Sequence, residues 1–197
     1  MEIAFETLIT SYLNDKIGIT EHFLPIALAE HLKENVLALY ENKLLLAAGT
    51  GNDKKLVHNA NVRSDAIYWL DKSHNNSYEN EFFLKIEAFI AYLNNSCYAG
   101  ITSYEFHYSL YEPGSFYSKH RDQFQDNSSR AFSMISYLNA NWKAEDGGEL
   151  MIYQPGNDLK IAPTQGKTVF FKSDELEHEV LITSAKRMSL TGWLKRG

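Results

Sequence analysis

The chain has 197 residues, of which 44% are hydrophobic, a formal net charge of −6 and a single cysteine. That length and apolar fraction can bury a sizeable core, so one domain spanning 1–197 is expected. The acidic balance, without any dense Lys/Arg run, argues against bulk nucleic acid or an anionic membrane as partner, and lone Cys97 excludes an internal disulfide or a thiolate metal cluster.

Residues 1–16 lack a basic stretch leading into an apolar one, and no run approaches the ~20 apolar residues of a membrane span. The expectation is a cytoplasmic protein. Residues 1–102 read as mainly helical. Pro25 is well placed before a helix over Ala27 to Leu39, and Tyr78 to Leu93 carries Phe82, Phe83, Ile86, Phe89, Ile90 and Leu93 at helical spacing. Between them, Gly49 to Lys55 is polar and Gly-rich, lacks the third glycine of a dinucleotide fingerprint, and reads as a surface loop. Cys97 ends the second helical pattern, where a buried, inert thiol is expected.

From Ser103 onward the pattern changes to short apolar runs separated by turn signals such as Pro113-Gly114, Asp126 to Ser129, Asp146 to Gly148 and Pro155 to Asp158. Tyr104, Phe106, Tyr108 and Leu110 alternate with Glu105, His107, Ser109 and Tyr111, the period of a half-buried strand. Roughly eight strands at this spacing over 103–197 suggest a barrel or jelly-roll, and helices on one face make the class α+β.

His120 and Asp122, two residues apart, face the same way only on extended chain. With His178 they make two imidazoles and one carboxylate, the ligand set that holds non-haem Fe(II) with positions left open. A bare His-x-Asp match is weak, so context must supply specificity. A four-residue loop over Thr183 to Lys186 would pair Ile182 with Arg187, Val180 with Ser189 and His178 with Thr191, placing His178, Arg187, Ser189, Thr191 and Trp193 on one face. Arg187 would then lie ~13 Å along the strand from His178. A metal-chelating ketoacid with a second carboxylate bridges that gap, and the planar guanidinium suits a bidentate carboxylate bond, with Ser189 and Tyr137 as further hydrogen-bond donors.

Tyr111-Glu-Pro-Gly114, His120-x-Asp122, Ser136-Tyr-Leu-Asn139, Trp142 followed by Gly147-Gly-Glu-Leu150, Phe170-Phe-x-Ser-Asp174, His178-Glu-Val180, and Arg187 with Thr191 and Trp193 occur in that order. This series resembles the prolyl hydroxylase-domain branch of the 2-oxoglutarate/Fe(II) dioxygenases over about half the chain. The resemblance implies a double-stranded β-helix core over 103–197, with support and a substrate loop from 1–102. It implies Fe(II) on His120, Asp122 and His178, the 2-oxoglutarate C5 carboxylate on Arg187 and Tyr137, and a pocket lined by Tyr111, Ile135, Leu150, Val180, Thr191 and Trp193. Arg63-Ser-Asp65 is similar to the Arg-Gly-Asp of the family's substrate loop, with Ser in the middle position. Dioxygen as second co-substrate, ascorbate as reductant, a protein or peptide as substrate and hydroxylation of a prolyl residue are further implications. Two rivals differ in class. One is the same chemistry on a small molecule or nucleic acid, whose dealkylase branch carries an arginine where this chain has Trp193; the other is a metal-binding sensory module without turnover. His22, His31, His58 and His74 suit surface or capping roles, His107 suits a place behind the groups that touch the ligands or a buried, hydrogen-bonded one, and Asp146 and Glu149 flank a turn.

Overall fold

A computed structural model describes residues 2–49, 59, 61–123 and 128–197. Three helices, α1 (Glu2–Asp15), α2 (Ile26–Glu41) and α3 (Ser77–Cys97), pack against one face of a large antiparallel sheet. The strands are β1 (Ile17–Thr20), β2 (Leu46–Ala47), β3 (Ala66–Trp69), β4 (Ser103–Tyr111), β5 (Tyr117–His120), β6 (Arg130–Tyr137), β7 (Leu150–Tyr153), β8 (Leu159–Ile161), β9 (Thr168–Lys172), β10 (Glu177–Val180) and β11 (Arg187–Lys195). They form a seven-stranded sheet, β1-β9-β6-β11-β4-β3-β2, and a four-stranded sheet, β5-β10-β7-β8. Eight strands after residue 103 agree with the count expected from the turn signals, and helices over two antiparallel sheets make the predicted α+β jelly-roll.

Alternation along the strands splits the apolar residues into two cores. Phe106, Tyr108 and Leu110 of β4, Met134 of β6, Phe170 of β9 and Leu190 of β11 turn toward the helices, where they meet Phe5, Leu32, Phe82, Ile86 and Phe89. Each fully buried ring or leucine there contributes about 1.5–3 kcal/mol of burial free energy. Tyr111, Ile135, Tyr137, Leu150, Ile152, Val169, Phe171 and Val180 turn the other way and fill the interior of the roll. Gly192 is obligatory on β11: a Cβ would stand 2.2 Å from the Glu105 carbonyl oxygen and 2.3 Å from the Phe106 ring. The stripe predicted for α3 is its buried face, and Asn76 caps that helix by accepting from the Tyr78 and Glu79 amides.

The first half contributes more than helices. β1 pairs with β9, and β3 pairs with β4, widening the large sheet at both edges. Both are four-residue segments, too short for a period to emerge from their composition. The expected β10–β11 hairpin does not form: β10 pairs with β5 and β7, whereas β11 pairs with β4 and β6. The chain between them crosses from one sheet to the other, so the two strands face each other across the roll and their inward residues still share one cavity. Cys97 is exposed, contrary to expectation, because the last buried position of the stripe is Leu93 and the chain turns away through left-handed Tyr98. Most of the Gly49 to Lys55 loop, His58 and part of the Asp126 to Ser129 turn lie outside the described residues.

Candidate active site

His120 ends β5, His178 sits opposite it on β10, and Asp122 follows just beyond the strand end. Their ligand atoms all lie within 4.8 Å of one another, with His120 Nε2 3.4 Å and His178 Nε2 3.6 Å from the Asp122 carboxylate oxygens. One metal ion can span that set.

Each partner is fixed from behind. His120 Nδ1 donates to the Ser118 carbonyl at 2.7 Å and His178 Nδ1 to the Leu176 carbonyl at 3.2 Å, which turns both Nε2 atoms toward Asp122. Ser133 of β6 donates to Asp122 Oδ2 at 2.6 Å, and Ser173 Oγ lies 2.9 Å from Ser133 Oγ. Burial alone would raise the Asp122 carboxyl; His178, His120 and Ser133 override it and hold the group well below the usual carboxylate range. Burial pushes the His178 imidazole down to about 4, against the pull of Asp122, so it is neutral near pH 7. An ionised carboxylate with two imidazole Nε2 atoms turned toward it is a donor set that a divalent ion takes. The residues present therefore fit Fe(II). Tyr117 stacks on His120 at 3.6 Å between ring centroids and holds that ring's plane. Ser133→Ala removes the bond that orients Asp122, and a 10–100-fold (about one to two orders of magnitude) loss of metal affinity is expected in a metal titration.

Deeper in the roll, Arg187 is 2% exposed, donates from Nε to the Gly148 carbonyl at 2.7 Å, and lies between the Tyr111 and Tyr137 rings, 4.8 and 5.2 Å from their centroids. The Tyr137 hydroxyl is fully buried and makes no well-formed hydrogen bond among the described residues, although the Arg187 guanidinium stands beside it. A buried arginine fork beside an orphaned hydroxyl suits a carboxylate. Gly147 and Gly148 hold positive φ, and a Cβ on Gly148 would come within 3.0 Å of Arg187 Cδ and 2.9 Å of Thr183 Cβ.

These groups open onto a cavity of about 850 Å³. Among the residues expected from sequence, His120, Asp122, His178, Arg187, Tyr111, Ile135, Leu150, Val180, Thr191, Trp193 and Arg63 all line it. Tyr137 and Ser189 are buried and do not line it, Ser189 Oγ being 3.2 Å from Oγ1 of the lining residue Thr191. Arg63 and buried Asp65 clasp each other through two bonds, at 2.6 and 2.9 Å, with the guanidinium 4.5 Å over the Tyr117 ring. Asp65 thus holds Arg63 against the cavity rather than facing it. Glu149 pairs with Lys160 at 2.9 Å, in keeping with a carboxylate beside a turn. Sequence reasoning missed the roles of Ser133, Tyr117 and Gly148, which act through Asp122, His120 and Arg187.

Residues 106–195 match the 2OG-Fe(II) oxygenase superfamily, and all three iron-ligand candidates and Arg187 fall within that span. The match runs along the roll from β4 to β11. The chain's activity class is that of a 2-oxoglutarate-dependent dioxygenase, which uses Fe(II), 2-oxoglutarate and dioxygen. A Pseudomonas putida prolyl-4-hydroxylase is similar to this oxygenase over 98% of this chain and 99% of its own, at 28% identity and a TM-score of 0.88. A Trichoplax adhaerens prolyl hydroxylase, solved with a hypoxia inducible factor peptide, shares the oxygenase fold at 22% identity and a TM-score of 0.87, covering 98% of this chain and 90% of that one. The epimerase SnoN of nogalamycin biosynthesis also shares the fold, at 14% identity and a TM-score of 0.69 over 100% of this chain and 84% of its own. No helix among the described residues is long and apolar enough to cross a membrane.

Proposed function

We propose that this oxygenase hydroxylates a prolyl residue of a polypeptide, with Fe(II) held by His120, Asp122 and His178 and the remote carboxylate of 2-oxoglutarate held by Arg187 and Tyr137. The observation that carries the reading is full-length likeness to the Pseudomonas putida prolyl-4-hydroxylase, with 99% of that chain matched. The fold shared with a small-molecule epimerase leaves substrate class to the cavity itself. Here the cavity is roomy and flanked by the exposed apolar side chains Leu44, Leu46 and Trp69, features suited to an extended chain passing its mouth.

Fe(II) bound with 2-oxoglutarate and dioxygen supplies the oxidation: the ketoacid is converted to succinate and CO2, and one oxygen atom is inserted into a C–H bond. The protein's part is positional. Ser133, Ser118 and Leu176 fix the ligand atoms before metal arrives, so little reorganisation is needed. The Arg187 fork sets the co-substrate's orientation, while Ile135, Leu150 and Val180 give the cavity an apolar wall that excludes water around the reacting groups. No protein nucleophile or general base is called for.

Incubating the protein with Fe(II), 2-oxoglutarate, ascorbate and a broad panel of proline peptides tests the reading by mass spectrometry. Gain of one oxygen on proline with matching succinate is expected; absence of any peptide-dependent turnover contradicts it.

A further inference from the structure

His107 occupies the cavity wall on β4, away from the metal-ligand and Arg187 groups. It is 1% exposed and sits between two tryptophans: Trp69 edge-on with centroids 5.0 Å apart, and Trp193 tilted at 5.6 Å. Its Nδ1 lies 3.1 Å from the Tyr108 carbonyl oxygen and 3.2 Å from Ser109 Oγ. A carbonyl only accepts, so Nδ1 carries the proton and Nε2 is the ring's acceptor nitrogen. Burial and then the Arg63 charge push the imidazole down to about 4, so the ring is neutral at physiological pH.

Position decides what that acceptor can meet. In the sheet, His107 pairs with Thr191, which pairs with Ile135 of β6. Ser133, whose hydroxyl holds Asp122, is one inward position further along β6. His107 is thus two strands across from the ligand side of the roll, roughly 10 Å at the usual inter-strand spacing. A prolyl residue lying between them has no amide hydrogen of its own. The nearest backbone donor along its chain is the amide of the residue that follows.

We propose that His107 is a specificity-determining residue whose Nε2 accepts a hydrogen bond from the backbone N–H that follows the target proline, so that the oxygenase selects prolyl segments bearing a secondary amide at that point. This rests on the prolyl reading given above. A site with a buried acceptor discriminates against ligands lacking the matching donor, because the acceptor is then left dry and unpaired. Segments with Pro-Pro at the target are accordingly poor substrates.

The test uses two proline peptides identical except for glycine or sarcosine (N-methylglycine) after the target proline, assayed with wild type, His107→Leu and His107→Gln. Wild type is expected to show a KM about tenfold higher for the sarcosine peptide, in line with loss of one buried hydrogen bond. His107→Gln, which keeps an acceptor, retains the discrimination; His107→Leu gives equal KM values for both peptides while still binding Mn(II) and 2-oxoglutarate in calorimetry. Equal KM values in wild type, or the same sarcosine penalty in wild type and His107→Leu, overturn the assignment and leave prolyl hydroxylation standing. Failure of wild type to turn over any proline peptide overturns the prolyl reading and this inference together.

Discussion

Asp122→Ala is expected to reduce 2-oxoglutarate turnover by more than about 1,000-fold, equivalent to about 4 kcal/mol of lost transition-state stabilisation. The size follows from the site's construction. Asp122 is the only carboxylate of the triad, stands 3.4 and 3.6 Å from the two Nε2 atoms, and is held ionised in a buried place by those imidazoles and Ser133. Without it, no carboxylate of the triad is left to balance the charge of the ion. The fold itself does not depend on the carboxylate: β5 is still paired to β10, and the helix-side core is remote from the site. Metal titration separates the two effects. The expected result is a cooperative thermal transition close to that of metal-free wild type, together with loss of stoichiometric Fe(II) or Mn(II) binding; retained metal affinity removes Asp122 from the ligand set.

Arg187→Met is expected to raise the KM for 2-oxoglutarate by about 100-fold, the worth of a charge-assisted, two-pronged bond in a buried site. Methionine keeps much of the packing between Tyr111 and Tyr137 while deleting the fork. Arg187→Lys is expected to recover only part of the loss, because an ammonium cannot grip both carboxylate oxygens in one plane or reach the Gly148 carbonyl with the same geometry. Gly148→Ala tests the same contact from the other side. Its φ of +72° and the 3.0 Å approach to Arg187 Cδ mean that an added methyl moves the arginine or the backbone carbonyl it bonds. A KM increase of about tenfold with intact metal binding is expected. Steady-state kinetics with 2-oxoglutarate as the varied substrate reads all three, and an unchanged KM in Arg187→Met sinks the carboxylate assignment.

How far the sequence alone reached can be judged from particular strands. The alternation over Tyr104 to Tyr111 correctly divided β4 between helix core and cavity, because a strand's faces are written in a period of two that any partner must respect. The stripe on α3 was equally readable. The inward set Arg187, Thr191 and Trp193 came out right although the pairing invoked for it was wrong. Parity along β11 is local, whereas its choice of β4 and β6 as partners depends on a crossover between sheets that no local pattern records. For the same reason Ser133 and Gly148 escaped notice. A serine in an apolar run and a glycine in a turn become meaningful only when Asp122 and Arg187, remote along the chain, are folded against them. Cys97 was misjudged because helical spacing says which face a residue takes and not where the sheet beneath that face ends.

The central claim is that one cavity holds a metal ion and 2-oxoglutarate together, on separate residues. Calorimetric titration of 2-oxoglutarate into the protein under anaerobic conditions, with and without Mn(II), tests it most directly. The predicted result is a single site whose affinity appears only with metal present, is lost in His178→Ala and is weakened about 100-fold in Arg187→Met. Equal 2-oxoglutarate binding with and without metal, or binding untouched by either substitution, contradicts the account.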